Sequence, residues 1–144
     1  LREFGRTLGE LPEPVPLEVA RDFQVSTIHR AIPASLLATF VGESMKVPAH
    51  VWQRAMEGVL AFRSVSFLAR LNMPTLIVWG DHDAIVSRSE QELLRQGIEA
   101  AILSVLEDTG HAVHWERSES FVEQLLAFIR PEARAARGGT RAPR

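Results

Sequence analysis

Two short apolar runs constrain this chain more than anything else in it. Pro74-Thr75-Leu76-Ile77-Val78-Trp79 and the segment from about Ala101 to Glu107 are almost continuously hydrophobic rather than alternating. Continuous hydrophobicity over so short a length describes a strand covered on both faces, as in a parallel sheet. Proline is tolerated at the first position of such a strand. Between the runs, Ser87-Arg88-Ser89-Glu90 has the form of a capping box, and the helix it opens is expected to end near Gly97, a suitable C′ residue. A last helix is expected from about Ser118 to Ile129, burying Phe121, Val122, Leu125, Leu126 and Ile129, and Pro131 stops it. Strand, helix, strand, helix is a βαβα unit, with parallel strands and a right-handed crossover.

The first half reads differently. Pro16, Pro33 and Pro48 each open a helix. The first runs to about His29. The second carries Leu36, Leu37, Phe40, Val41 and Met45 as one stripe, and the third turns Val51, Trp52, Ala55, Met56, Val59 and Leu60 inward. No convincing strand occurs in residues 1–70. Two parallel strands do not make a stable sheet by themselves, so the domain is expected to be incomplete, with further strands encoded upstream. The expected division is a partial helical layer over 1–70, an α/β segment over 71–130 and a disordered tail over 131–144.

Composition excludes several classes. The chain has 144 residues and a net charge of −2, which gives no reason to expect nucleic acid or an anionic membrane as partner. Residues 131–144 hold four arginines and one glutamate, or +3, which leaves −5 on the rest. There is no cysteine, which rules out disulfides and thiolate chemistry and fits a reducing, cytoplasmic setting. No apolar run approaches the roughly 18 residues of a membrane span.

Chemistry is concentrated where the two strands end. Gly80-Asp81-His82-Asp83 follows the first and Asp108-Thr109-Gly110-His111 the second. In a parallel sheet the C-terminal ends of neighbouring strands share one edge, about 4.8 Å apart. Asp83 and His111 each lie four residues past the last strand position, so a carboxylate and an imidazole are expected to meet there. A carboxylate fixes the imidazole's tautomer and steadies its protonated form, and histidine titrates near neutral pH. Asp81 reads as a loop-capping residue, Asp108 as a turn residue, and Glu116 as a favourable acid at the start of the last helix. His82 between two aspartates does not read as a metal site, because successive residues on one loop seldom converge on one ion. No metal and no cofactor are expected.

The strings "MPTLIVWGDHDAIVSRSEQELL" and "LSVLEDTGHAVHWERSESFVEQLLAFI" resemble the C-terminal part of the α/β-hydrolase fold superfamily. "ESMKVPAHVWQRAMEGVLAF" is similar to the helical cap those enzymes insert before their last strands. The resemblance implies that Asp83 is the acid and His111 the base of a nucleophile–base–acid triad, in an esterase-like serine hydrolase acting on a small-molecule substrate. The superfamily nucleophile sits on a Gly-x-Ser-x-Gly elbow between strand and helix. The nearest string here, Gly42-Glu43-Ser44-Met45-Lys46, lacks the last glycine and lies within a helical pattern. The nucleophile and the oxyanion-hole donors are therefore expected outside this chain, and the chain alone is expected to be inactive. An aspartate nucleophile would mean haloalkane-dehalogenase or epoxide-hydrolase chemistry, and a non-catalytic binding or receptor protein is the other alternative. A homodimer is compatible with all of these readings.

Overall fold

The computed structural model describes residues 8, 11–63 and 65–130. The expected disordered tail over 131–144 lies outside them. Helices α1 (Leu17–Ser26), α2 (Ala34–Met45), α3 (Ala49–Ala61) and the single turn α4 (Val65–Leu68) come first. Strand β1 (Thr75–Gly80), helix α5 (Arg88–Gly97), strand β2 (Ala101–Leu106), the short α6 (Val113–Glu116) and α7 (Ser118–Ile129) follow.

The prolines act one position earlier than in the first helical turn. Pro16, Pro33 and Pro48 are the N-cap residues of α1, α2 and α3, with φ of −64°, −51° and −58°. Their ring-fixed φ suits that position, and their carbonyls accept from Ala20, Leu37 and Trp52. The three helices bury a small core of Leu8, Leu11, Val15, Ala20, Val41 and Ala49, with Leu37, Trp52 and Met56 packed against it. Val51 and Val59 do not join it: they are 42% and 57% exposed. The stripe expected to face inward on α3 instead lines an open apolar cavity of about 320 Å³, together with Phe23, Ser44 and Val47.

β1 and β2 pair in parallel, in register from Thr75 opposite Ala101 to Gly80 opposite Leu106. Only their C-terminal residues, Trp79, Gly80 and Leu106, are fully buried; the rest are half-buried. Helix α5 packs on both strands, and α6 and α7 pack on β1. The stripe on α7 is not the buried face the pattern implies, since Val122, Leu125, Leu126 and Ile129 are 39–55% exposed. A sheet of two strands is too narrow to cover a helix of that length.

Gly80 ends β1 rather than breaking it, and it does so without a side chain for a reason. A Cβ there would lie 2.2 Å from the Thr109 carbonyl oxygen and 2.3 Å from that of Gly110. The capping box at Ser87 and Glu90 forms as the sequence implies, with both reciprocal bonds present. Gly97, by contrast, is the last residue of α5, and no glycine among the described residues has a positive φ. It is small because Leu68 sits over it, 2.6 Å from where a Cβ would be.

The two glycines should differ on substitution. Gly80→Ala pushes against fixed backbone and is expected to cost about 3 kcal/mol or more, the upper end for overpacking. Gly97→Ala meets one leucine, whose Cδ1 can swing away but whose Cβ, 2.9 Å off, moves only with its backbone, so it should also cost stability, though less than Gly80→Ala. Denaturant midpoints of the two variants test this, and equal losses would contradict it.

Candidate active site

The loop after β1 is fastened to the loop after β2 by backbone bonds that follow from the missing side chain at Gly80. The Asp81 amide donates to the Leu106 carbonyl at 3.1 Å and the His82 amide to the Thr109 carbonyl at 2.9 Å. Asp81 Oδ1 accepts from the Thr109 amide at 3.3 Å, so Asp81 is the loop-capping residue its position suggested. Thr109 is fully buried and bonds the Glu107 carbonyl through its own hydroxyl.

This fastening brings Asp83 and His111 together. His111 Nδ1 lies 2.9 Å from Asp83 Oδ2. The Asp83 side chain is 3% exposed and that of His111 42%. A carboxylate taken out of water needs hydrogen-bond partners. Asp83 has three: Oδ1 accepts from the Ile85 and Val86 amides at 2.8 and 3.0 Å, and Oδ2 faces the imidazole. An ionised carboxylate only accepts, which assigns the proton of a neutral His111 ring to Nδ1 and the free lone pair to Nε2. Among the described residues nothing hydrogen-bonds that nitrogen. The arrangement is an anchored acid, an oriented imidazole and an open basic atom, which is what proton abstraction from a nucleophile requires.

Two groups near the pair do more than their sequence positions imply. Glu116 does not merely favour the start of a helix. Its Oε1 accepts from the Gly110 amide at 2.9 Å, and its Oε2 accepts from the amides of His29 and Arg30 at 2.9 and 2.6 Å. The Ala112 amide adds a bond to the Thr27 carbonyl at 2.9 Å, so the loop bearing His111 is clamped to the end of α1. No local pattern could announce partners more than eighty residues away. Asp108 does sit in a tight turn, at φ 52°, but it also pairs with Arg30 and lies 3.2 Å from His29 Nε2. Desolvation opposes its ionisation, yet the Arg30 charge and hydrogen bond, with His29, outweigh that and hold its carboxyl below the usual range.

His114 and Trp115 pack beside the base loop, as expected. The Phe40 ring of α2 stacks on Trp115 at 4.0 Å, a second tie between the helical layer and this loop. Burial first, and then the charge of His111, hold the His114 pKa below the usual histidine value. Ser44 lies in α2 and accepts a hydrogen bond from Gln24 Nε2 at 2.7 Å, with no imidazole bonded to it. Lys46 pairs with Glu43. None of the residues lining the apolar cavity belongs to the two strand-tip loops.

An acid after one parallel strand and a histidine after the next, joined by a capped helix, meet at one edge of the sheet. A family model described as "alpha/beta hydrolase fold" matches residues 19–118, and the chain belongs to that family. Over 62 residues it is 37% identical to a 2-hydroxy-6-oxononadienedioate/2-hydroxy-6-oxononatrienedioate hydrolase of Klebsiella pneumoniae, a match covering 43% of this chain and 22% of that one. Over 57 residues it is 46% identical to the dihydrolipoyllysine-residue acetyltransferase component of an acetoin cleaving system from Pseudomonas putida, covering 40% of this chain and 14% of that one. The structure of an esterase from Exiguobacterium antarcticum superposes with a TM-score of 0.78 at 19% identity, covering 89% of this chain and 46% of the esterase, a likeness of fold alone. The chain thus spans about a fifth or less of the curated relatives it matches and under half of the esterase. No helix among the described residues is long and apolar enough to cross a membrane.

Glu116→Gln keeps the size of the side chain but cannot accept from all three amides. It is expected to cost roughly 1–3 kcal/mol, the range for hydrogen bonds to a charged group discounted for exposure. Amide exchange at Gly110 and Arg30 should accelerate in step with the fall in stability; unchanged protection there would show that the clamp carries nothing.

Proposed function

We propose that this chain supplies the base and acid of a hydrolytic triad, with His111 taking the proton of a nucleophile and Asp83 orienting the imidazole and steadying its charged form. The observation that carries the reading is the 2.9 Å contact between His111 Nδ1 and an Asp83 carboxylate that is itself anchored by two backbone amides. The nucleophile and the oxyanion-hole donors belong to a segment outside these residues. Residues 1–70 act as part of a cap and residues 71–130 as the C-terminal part of the core.

The reaction fitting this geometry is hydrolysis through a covalent acyl intermediate. The nucleophile attacks a carbonyl carbon while its proton passes to His111 Nε2. The leaving group departs with that proton, and water, deprotonated in turn by His111, releases the acid. Membership of the family and the relative named as a hydrolase of a 2-hydroxy-6-oxo dienedioate support a small-molecule ester or related carbonyl compound as substrate. A cytoplasmic setting fits the absence of cysteine, and a homodimer is testable by size-exclusion chromatography.

The test joins this chain to the coding segment preceding it. An in-frame Gly-x-Ser-x-Gly after an apolar strand is expected, and the joined protein should turn over nitrophenyl esters. His111→Ala and Asp83→Asn should each lower kcat by about 10³–10⁴. The 144-residue chain alone should show no turnover that His111→Ala removes. Activity insensitive to both substitutions would discard the assignment, and an aspartate at the elbow would redirect the chemistry to an alkyl–enzyme ester.

A further inference from the structure

His29, His82 and Asp108 come from three separate segments and meet on the outer side of the strand-tip loops. Their ligating atoms all lie within 4.8 Å of one another, and His29 Nε2 is already 3.2 Å from Asp108 Oδ1. The two imidazoles stack with centroids 3.9 Å apart and planes 6° from parallel. His82 cannot readily share an ion with Asp81 and Asp83, its neighbours on one loop, but His29 and Asp108 reach it from other segments.

We propose that these three side chains bind a divalent transition ion of the zinc class, joining the end of the helical layer to both the acid loop and the base loop. Two neutral imidazoles and one carboxylate are ligands that suit zinc, and they suit calcium or magnesium poorly. Tetrahedral zinc with bonds near 2.1 Å separates its ligand atoms by about 3.4 Å. The His29–Asp108 separation, 3.2 Å, is close to that value, and the largest separation needs a closure of at most about 1.4 Å. Because an ion lies in the plane of each imidazole it binds, the two stacked rings must also swing apart, by side-chain rotations open to exposed residues. A fourth position is left for water.

The site is built in its backbone although its side chains are exposed. The His29 amide is held by Glu116, the His82 amide by the Thr109 carbonyl, and Asp108 by the left-handed turn that precedes buried Thr109. Only side-chain rotors remain to be ordered on binding, which keeps the entropic cost low. Asp108 has one oxygen toward His29, and its other oxygen accepts from Arg30. That division leaves one oxygen for the ion while the guanidinium orients the carboxylate from outside, the usual arrangement around a ligating carboxylate. A bound ion crosslinks three segments far apart in sequence and stiffens the two loops that carry Asp83 and His111.

The experiment is calorimetric titration of the tag-free, full 144-residue chain with zinc chloride, with cobalt(II) absorption as a geometric probe. One zinc per chain with micromolar affinity is expected, together with the intense visible bands of tetrahedral cobalt. His29→Gln and His82→Gln should each weaken zinc at least tenfold, whereas His50→Gln and His114→Gln leave it unchanged. Zinc should raise the melting temperature of the chain and not that of His82→Gln, while circular dichroism confirms that the variants are folded. Three outcomes overturn the proposal: no binding tighter than millimolar, magnesium or calcium binding as tightly as zinc, or zinc binding that survives in both His29→Gln and His82→Gln.

Discussion

The distance between two loops in this molecule is set by a side chain that is not there. Gly80 ends β1 with the carbonyls of Thr109 and Gly110 pressed into the space a Cβ would fill. That approach lets the Asp81 and His82 amides reach the second loop. Once the loops are fastened, Asp83 and His111 have little freedom to be anywhere but beside one another. Asp83, His111, His82 and Asp108 all sit within a few residues of this contact.

The same loops are held from a third direction. Glu116 and the Thr27–Ala112 bond tie the His111 loop to the end of α1, and the Phe40–Trp115 stack ties it to α2. The helical layer therefore helps to hold His111 in place. Its own core is small, and the apolar face of α7 and the half-buried strands remain open. Stability and site geometry are coupled here, because the bonds that orient His111 are also those that join the two halves of the chain.

Much of this was legible in the residues. The two apolar runs became strands within a residue of their expected ends, because continuous hydrophobicity, flanking turn residues and the Ser87–Glu90 box are local signals. Asp83 and His111 were legible for the same reason: each is a fixed offset beyond a strand, and parallel pairing does the rest. Where the readings failed, the cause was not local. Gly97 suits a helix C-terminus by type, yet it is glycine because Leu68 lies over it. The stripes on α3 and α7 have the period of buried faces, but period says only which residues share a side and not whether anything covers it. Glu116 has the right charge to start a helix, and two of its three amide partners, His29 and Arg30, are distant in sequence.

The amino-acid sequence on its own determined the elements, their order, the parallel pairing and the acid–histidine pair, since each depends on neighbours within a few positions or on the geometry common to every parallel sheet. Only the tertiary structure decided which oxygen of Asp83 faces the imidazole, that Glu116 clamps the base loop to α1, and that His29 and Asp108 come to lie beside His82. Those are contacts between segments brought together by packing, and a close approach in space leaves no periodic trace along a chain.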